Sequence, residues 1–187
     1  MKIKLLLSSF ICTMTVIVHT AGAGEFKIWS DDIKNGQLAE AQALNMMGCA
    51  GGNMSPHLTW AHAPEGTKSF VVTAYDPDAP TGSGFWHWVV MNIPATVTEL
   101  ATGSGSGKAG LPKGAVQTRN DLGVNAFIGA CPPPGETHRY IFTVHALKTD
   151  HLDLDSQASG ALVGFMTTMN RLDKVSVTAT YRRPGAP

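Results

Sequence analysis

The apolar residues of this chain fall mostly in short β-branched or aromatic runs, separated by proline- and glycine-rich stretches. Phe26 to Ser30 is a brief run of this kind. Ser69 to Tyr75 (SFVVTAY) places Phe70, Val72 and Ala74 on one face of a strand. His87 to Ile93 is almost continuously apolar, which predicts a strand covered on both faces. Arg139 to Leu147 (RYIFTVHAL) alternates, and Val175 to Tyr181 (VSVTATY) reads as a final strand. Prolines 56, 64, 77, 80, 94, 112 and 132–134 lie between these runs, where they interrupt no ladder. One helix is predicted, capped by Asp155 or Ser156, with Ala158, Ala161, Leu162, Phe165, Met166, Met169 and Leu172 forming a core-facing stripe. Strands in this number with one late helix predict a mainly β fold, a Greek-key β-sandwich of two antiparallel sheets with a helix or two at its edge. Thr102 to Gly107 (TGSGSG) reads as a flexible loop, and no Lys-Ser/Thr pair follows to make it a phosphate loop.

Composition narrows the class. The chain has 187 residues, a formal net charge of +0 and 15% charged residues, so no basic arm for nucleic acid and no acidic tail is present. Lys2 and Lys4 precede an apolar run, Leu5 to Val18, that is too short for a comfortable membrane span. Ala21-Gly22-Ala23 offers a cleavage site. Residues 1–23 are therefore read as a signal peptide and 24–187 as a single exported, periplasmic domain without a transmembrane segment; release from the cell stays open. Loss of the leader removes Cys12 and leaves Cys49 and Cys131. An even cysteine count in an exported chain predicts a disulfide between them. The bridge closes a loop of about 80 residues, worth about 4 kcal/mol through the unfolded state.

The chemistry concentrates in two stretches. In the first, Tyr75 to Ile93, two carboxylates, Asp76 and Asp78, stand next to prolines that restrict the backbone. Gly82, Ser83 and Gly84 follow, and the chain re-enters the interior through Phe85, Trp86, His87 and Trp88. The second, Gly129 to Tyr140 (GACPPPGETHRY), carries His138 and Tyr140 two residues apart, on the same side of a strand. Arg139 points the other way, toward solvent or an ion pair. Each group alone also fits a structural role: a turn, a self-satisfied histidine or a core tyrosine. Together the stretches suit one small polar pocket, an idea that requires the His87 and His138 rings to lie within about 10 Å. His87 and His138 would donate to an anion, and Asp76 and Asp78 would orient them or take an amine. Gly129, Ala130 and Cys131 would offer backbone amides beside the rigid Pro132 wall. Phe85, Trp86 and Tyr140 would line the mouth. Catalysis is not favoured, because neither a Gly-x-Ser-x-Gly elbow nor a His-Glu-x-x-His motif occurs. A zinc site from the two histidines and two aspartates lacks close ligand spacing, so no metal and no cofactor is expected.

At these residues the chain resembles the phosphatidylethanolamine-binding protein family, also called Raf-kinase-inhibitor-like, in its bacterial YbhB/YbcL-like branch. Asp76-Pro77-Asp78-Ala79-Pro80, Trp86-His87, and Pro-Pro-x-Gly followed by His138-Arg139-Tyr140 carry the likeness. Asn53 to Trp60, Gly66 to Phe70, Thr118 to Asp121 and Ser159 to Phe165 are similar to the bacterial branch. The resemblance implies two antiparallel sheets and an anion pocket at one end. By motif position that pocket holds Asp76, Asp78, Pro80, His87, Gly129, Pro132, His138 and Tyr140. It implies a non-enzymatic module for phosphate-like groups, including phospholipid head groups. Cys131 stands where many relatives have glycine, and the C-terminal helix of eukaryotic relatives has no counterpart after Tyr181, which argues against kinase regulation. The alternative function is an inhibitor or interaction module for a protease, kinase or host protein. The expected partners are a phosphate-like or head-group ligand and, on the alternative, a protein; a homodimer stays open, and nucleic acid is not expected.

Overall fold

The structure, a computed structural model, describes residues 24–185. The predicted leader, residues 1–23, lies outside them. In chain order the elements are β1 (Lys27–Trp29), β2 (Leu58–Ala61), β3 (Ser69–Asp76), β4 (Phe85–Pro94), β5 (Glu99–Leu100), β6 (Val116–Gln117), β7 (Thr137–Leu147), α1 (Gly160–Asn170) and β8 (Arg171–Arg182). They form a three-stranded sheet, β1-β2-β5, and a five-stranded sheet, β6-β4-β3-β7-β8. All the strand pairs are antiparallel. This is the expected mainly β architecture.

Strand parity decides what each face buries. Phe70, Val72 and Ala74 of β3 join Trp88, Val90, Phe142 and Val144 in the core between the two sheets. Val71, Val89 and Met91 point to the opposite face of the large sheet, where Leu152, Ala158 and Val163 cover them. That second cover explains why β4 reads as a continuous apolar run.

The helix differs from its predicted form. Ser159, not Asp155 or Ser156, is the cap: its side chain accepts from the Leu162 amide. The buried face is Gly160, Val163 and Thr167. Phe165 and Met169 are 62% and 61% exposed, Leu162 is exposed, and Leu172 belongs to β8. The reason is proximity. A Cβ at Gly160 would sit 2.5 Å from the Trp86 ring, so the helix approaches the sheet through Gly160; of the predicted stripe, Ala158 and Met166 pack on the core, while Leu162, Phe165 and Met169 face outward. The 102–107 segment is also not a free loop. Ser104–Ser106 is a 3₁₀ turn with Ser104 and Gly105 buried. The Gly105 amide donates to Ser55 Oγ at 2.8 Å, and Gly105 packs on the Trp88 indole.

Candidate functional site

β3 and β4 converge on the site through an irregular ladder. Ala74 pairs with Trp88 but Tyr75 pairs with Trp86, which leaves His87 as an extra residue without a partner on β3. Such a bulge re-aims a side chain at the end of a strand. The imidazole of His87 turns toward the 127–133 loop: its Nδ1–H donates to the Ile128 carbonyl at 2.9 Å, and the Ile128 amide donates to the His87 carbonyl. At the end of β3, buried Asp76 closes the turn by accepting from the Asp78 and Ala79 amides at 2.8 and 3.1 Å through Oδ1. Its Oδ2 accepts from His138 Nδ1–H at 2.7 Å and lies 3.9 Å from His87 Nε2. Both histidines thus reach one carboxylate oxygen, and the two distant stretches meet as the sequence predicts.

These residues open on a cavity of about 320 Å³. Asp76, His87, His138 and Tyr140 form its polar wall, and Pro80, Gly129, Cys131 and Pro132 also line it. Leu44, Met47, Phe85, Leu122 and Ile128 supply apolar surface. The Cys49–Cys131 disulfide is formed across a separation of 82 residues and fixes one side of the cavity.

Four sequence expectations are corrected by position. Trp86 is not at the mouth; it packs on Tyr75 with ring centroids 4.7 Å apart and on Gly160 of the helix, because parity sends Phe85 and His87 to the cavity side and Trp86 to the other. Asp78 does not face the histidines. Arg139 binds it through Nη2 at 2.6 Å and Nε at 2.9 Å, the outward ion pair expected of Arg139. The Gly129 and Ala130 amides are not free: they donate to Asn53 Oδ1 at 2.7 Å and to the Gln42 carbonyl at 3.1 Å. The Cys131 amide makes no backbone hydrogen bond and lies beside the Tyr140 phenol. Finally, neither histidine presents a free donor, since His87 gives its Nδ1–H to Ile128 and His138 is held at both nitrogens, by Asp76 and by Glu136 at 3.2 Å. Glu136 and Arg183, a further lining residue, were not anticipated. Glu136 sits two residues before His138 on its strand-parity side, which was a readable cue. Arg183 carried none.

Electrostatics separates the two rings. Burial drives the His87 pKa below its ordinary value, against the opposing pull of the Ile128 carbonyl and Asp76, so His87 is neutral with Nε2 unprotonated. Burial also opposes charge on His138, but the hydrogen bonds to Asp76 and Glu136 outweigh it and hold its pKa above the ordinary value. Burial, with Asp76 adding, pushes the Tyr140 phenol up, so its proton stays on. That hydroxyl is buried and has no hydrogen-bond partner among the described residues. Arg139 draws the Asp78 carboxyl down to about 2, chiefly by its side-chain hydrogen bonds. Among the described residues no group of three or more His, Cys, Asp or Glu side chains is arranged to hold a metal ion.

The family model described as phosphatidylethanolamine-binding protein matches residues 29–182. The chain belongs to that family. It is 54% identical to the YbhB protein of Escherichia coli over 83% of this chain and 99% of that one. It is 52% identical to YbcL of the same organism over 90% of this chain and 93% of that one. Among solved structures, the crystal structure of Escherichia coli YbcL, described as a member of the mammalian family, superposes with a TM-score of 0.81 at 53% identity, covering 85% and 99% of the two chains. A homologue from Chlamydia trachomatis superposes with a TM-score of 0.71 at 25% identity, covering 84% and 97%. Family membership places this chain among proteins of a binding type and accounts for the two-sheet fold with its single described helix.

Proposed function

We propose that the protein is an exported, non-enzymatic binding module whose cavity takes a small phosphate-bearing group such as a phospholipid head group. One observation carries the reading: the Tyr140 hydroxyl, buried in the cavity wall, is a donor without an acceptor among the described residues. An unmatched buried donor costs about 1–3 kcal/mol, and an anionic oxygen in the cavity removes that cost. The Cys131 amide is directed at the phenol oxygen and steadies the hydroxyl in the cavity wall. The cavity's cysteine is tied in a disulfide and His138 has both nitrogens engaged, which supports binding rather than turnover. The disulfide also supports an oxidising compartment such as the periplasm.

Calorimetric titration with O-phosphoethanolamine tests the reading. The wild type is expected to bind, and Tyr140→Phe to bind about tenfold more weakly while folding at least as stably, because it removes an unsatisfied group. Absence of binding by the wild type would overturn it. The alternative, a protein-interaction module, has one observation in its favour: the exposed apolar row Leu162, Phe165 and Met169 on α1. A partner retained by His138→Ala and lost by Phe165→Glu in pull-downs would establish that role.

A further inference from the structure

The polar wall of the cavity has a charge problem that its histidines do not solve. Asp76, His138 and Glu136 form a chain of two carboxylates around one imidazole. With His138 protonated, Asp76 only balances it, and the exposed Glu136 just outside the cavity lining leaves the chain one net negative charge. His87 is neutral, Tyr140 and the Cys131 amide contribute dipoles only, and Asp78 is matched by Arg139 outside the cavity. A phosphate entering here meets repulsion unless a cation stands on the other side.

Arg183 is that cation. It is the one lysine or arginine among the described residues lining the cavity, and no carboxylate of the described residues lies within ion-pair distance of it. Its position is built, not incidental. Nη2 donates to the Gly48 carbonyl at 2.9 Å, and Nη1 to the Pro132 carbonyl at 3.4 Å, with Cys131 Sγ at 3.6 Å. Gly48 and Pro132 are the neighbours of Cys49 and Cys131, so the disulfide fixes both anchors of the guanidinium. Gly48 has φ +80°, a left-handed backbone that favours glycine, and a Cβ there would sit 2.6 Å from Nη2, so a larger residue would push the guanidinium out of this position. The backbone of Arg183 is pinned as well: its amide donates to the Glu136 carbonyl and its carbonyl accepts from Gly135. Three carbonyl and sulfur contacts leave N–H groups of the five-donor fork unspent.

We propose that Arg183 is the specificity-determining residue of this cavity, taking the second negative charge of a phosphomonoester and so selecting dianionic monoesters over monoanionic diesters. The disulfide holds it in place for that purpose. This rests on the anion reading above. A monoester is mostly dianionic above its second pKa of about 6, whereas a diester keeps a single charge. Both ligands offer the fork two unesterified oxygens, so the guanidinium distinguishes them by charge and gains more from the dianionic monoester.

The test uses the oxidised mature protein at about pH 8, with O-phosphoethanolamine, glycerophosphoethanolamine and inorganic phosphate as separate titrants. The wild type is expected to bind O-phosphoethanolamine about tenfold or more tightly than the diester. Arg183→Gln is expected to abolish that preference, losing monoester affinity while leaving diester affinity within about threefold. Arg183→Lys keeps the charge without both anchors and is expected to restore part of the preference. The double variant Cys49→Ser, Cys131→Ser is expected to reproduce the Arg183→Gln pattern, and thermal unfolding confirms that each variant is folded. Inorganic phosphate binding as tightly as O-phosphoethanolamine would assign the preference to the phosphate rather than the head group, and still support the role of Arg183. Equal binding of monoester and diester by the wild type, or a preference that survives Arg183→Gln, overturns the proposal and leaves the anion reading standing. Wild-type protein that binds none of the three overturns both.

Discussion

His87 shows how one residue's surroundings set a measurable property of the whole site. Its ring is neutral because burial removes water from the charged form, and its Nδ1–H is committed to Ile128. Nε2 therefore enters the cavity as an acceptor. An anion placed against it reverses the balance, because a neighbouring negative charge favours the imidazolium. Binding is then coupled to proton uptake. With a depressed free-state pKa and a higher bound-state pKa, affinity rises as pH falls between the two values, by at most about tenfold per pH unit. Glycerophosphoethanolamine is the suitable probe because its phosphodiester does not titrate in this range. Calorimetry near pH 6.5 in buffers of different ionisation enthalpy should record uptake of part of a proton in the wild type. His87→Gln should record less, the remainder belonging to His138. Equal uptake in both would remove His87 from the coupling. The sequence made the partners of this ring legible, since Asp76, His138 and Tyr140 sit in motifs whose order matches a known family. It did not make the tautomer legible. That depends on a bulge at position 87 and on a carbonyl 41 residues away, neither of which residue types or spacing reveal.

At the scale of the element, α1 is where pattern reading and packing diverge. Periodicity located the helix, but the stripe of Leu162, Phe165 and Met169 pointed it the wrong way round. Packing against Trp86 selects the absence of a side chain, and absence leaves no mark on a hydrophobic pattern. The strands were more legible, because a period of two admits only two faces and one of them must meet the core. The corrected helix makes opposing predictions for substitutions on its two faces. Alanine is a better helix former than glycine by about 1 kcal/mol, so propensity alone has Gly160→Ala stabilising. The 2.5 Å approach to the Trp86 ring requires the reverse, with a loss of about 1–3 kcal/mol as the helix is displaced. Phe165→Ser on the outer face should change stability by less than about 0.5 kcal/mol. Urea unfolding of the three proteins decides it. A stabilised Gly160→Ala, or a Phe165→Ser as damaging as a core truncation, would restore the face inferred from the sequence.

Across the molecule, the titrating groups divide by the sign of their contribution to stability. His145 lies on β7 between Val71 of β3 and Lys174 of β8, in the body of the large sheet. Its Nδ1 is buried without a partner among the described residues. Burial, helped by the charges of Arg171 and Lys174, draws its pKa down to about 3. A histidine whose folded value is depressed supports the native state fully above its unfolded pKa of 6.5 and withdraws that support as pH falls toward about 3. By linkage the amount is at most about 5 kcal/mol. His87 shifts in the same direction and acts with it. Asp78, held at about 2 by Arg139, loses its contribution lower still, between its ordinary 3.8 and that value, and contributes little because its partner is exposed. His138 acts oppositely: with a raised folded pKa it adds stability below its unfolded value and loses it as pH rises through the folded one. The balance favours weakening on the acid side, beginning near pH 6.5 and well above the range where carboxylates titrate. The disulfide does not alter this window, since it acts on the unfolded chain's entropy rather than on protons. His145→Gln keeps a polar side chain of similar reach but cannot charge, so its acid unfolding midpoint should fall by about 0.5–1 pH unit relative to the wild type. Circular dichroism followed from pH 8 to pH 2 measures both. Superimposable acid transitions would show that β7 opens to solvent before His145 gains its proton, and would move the origin of acid sensitivity to the cavity histidines.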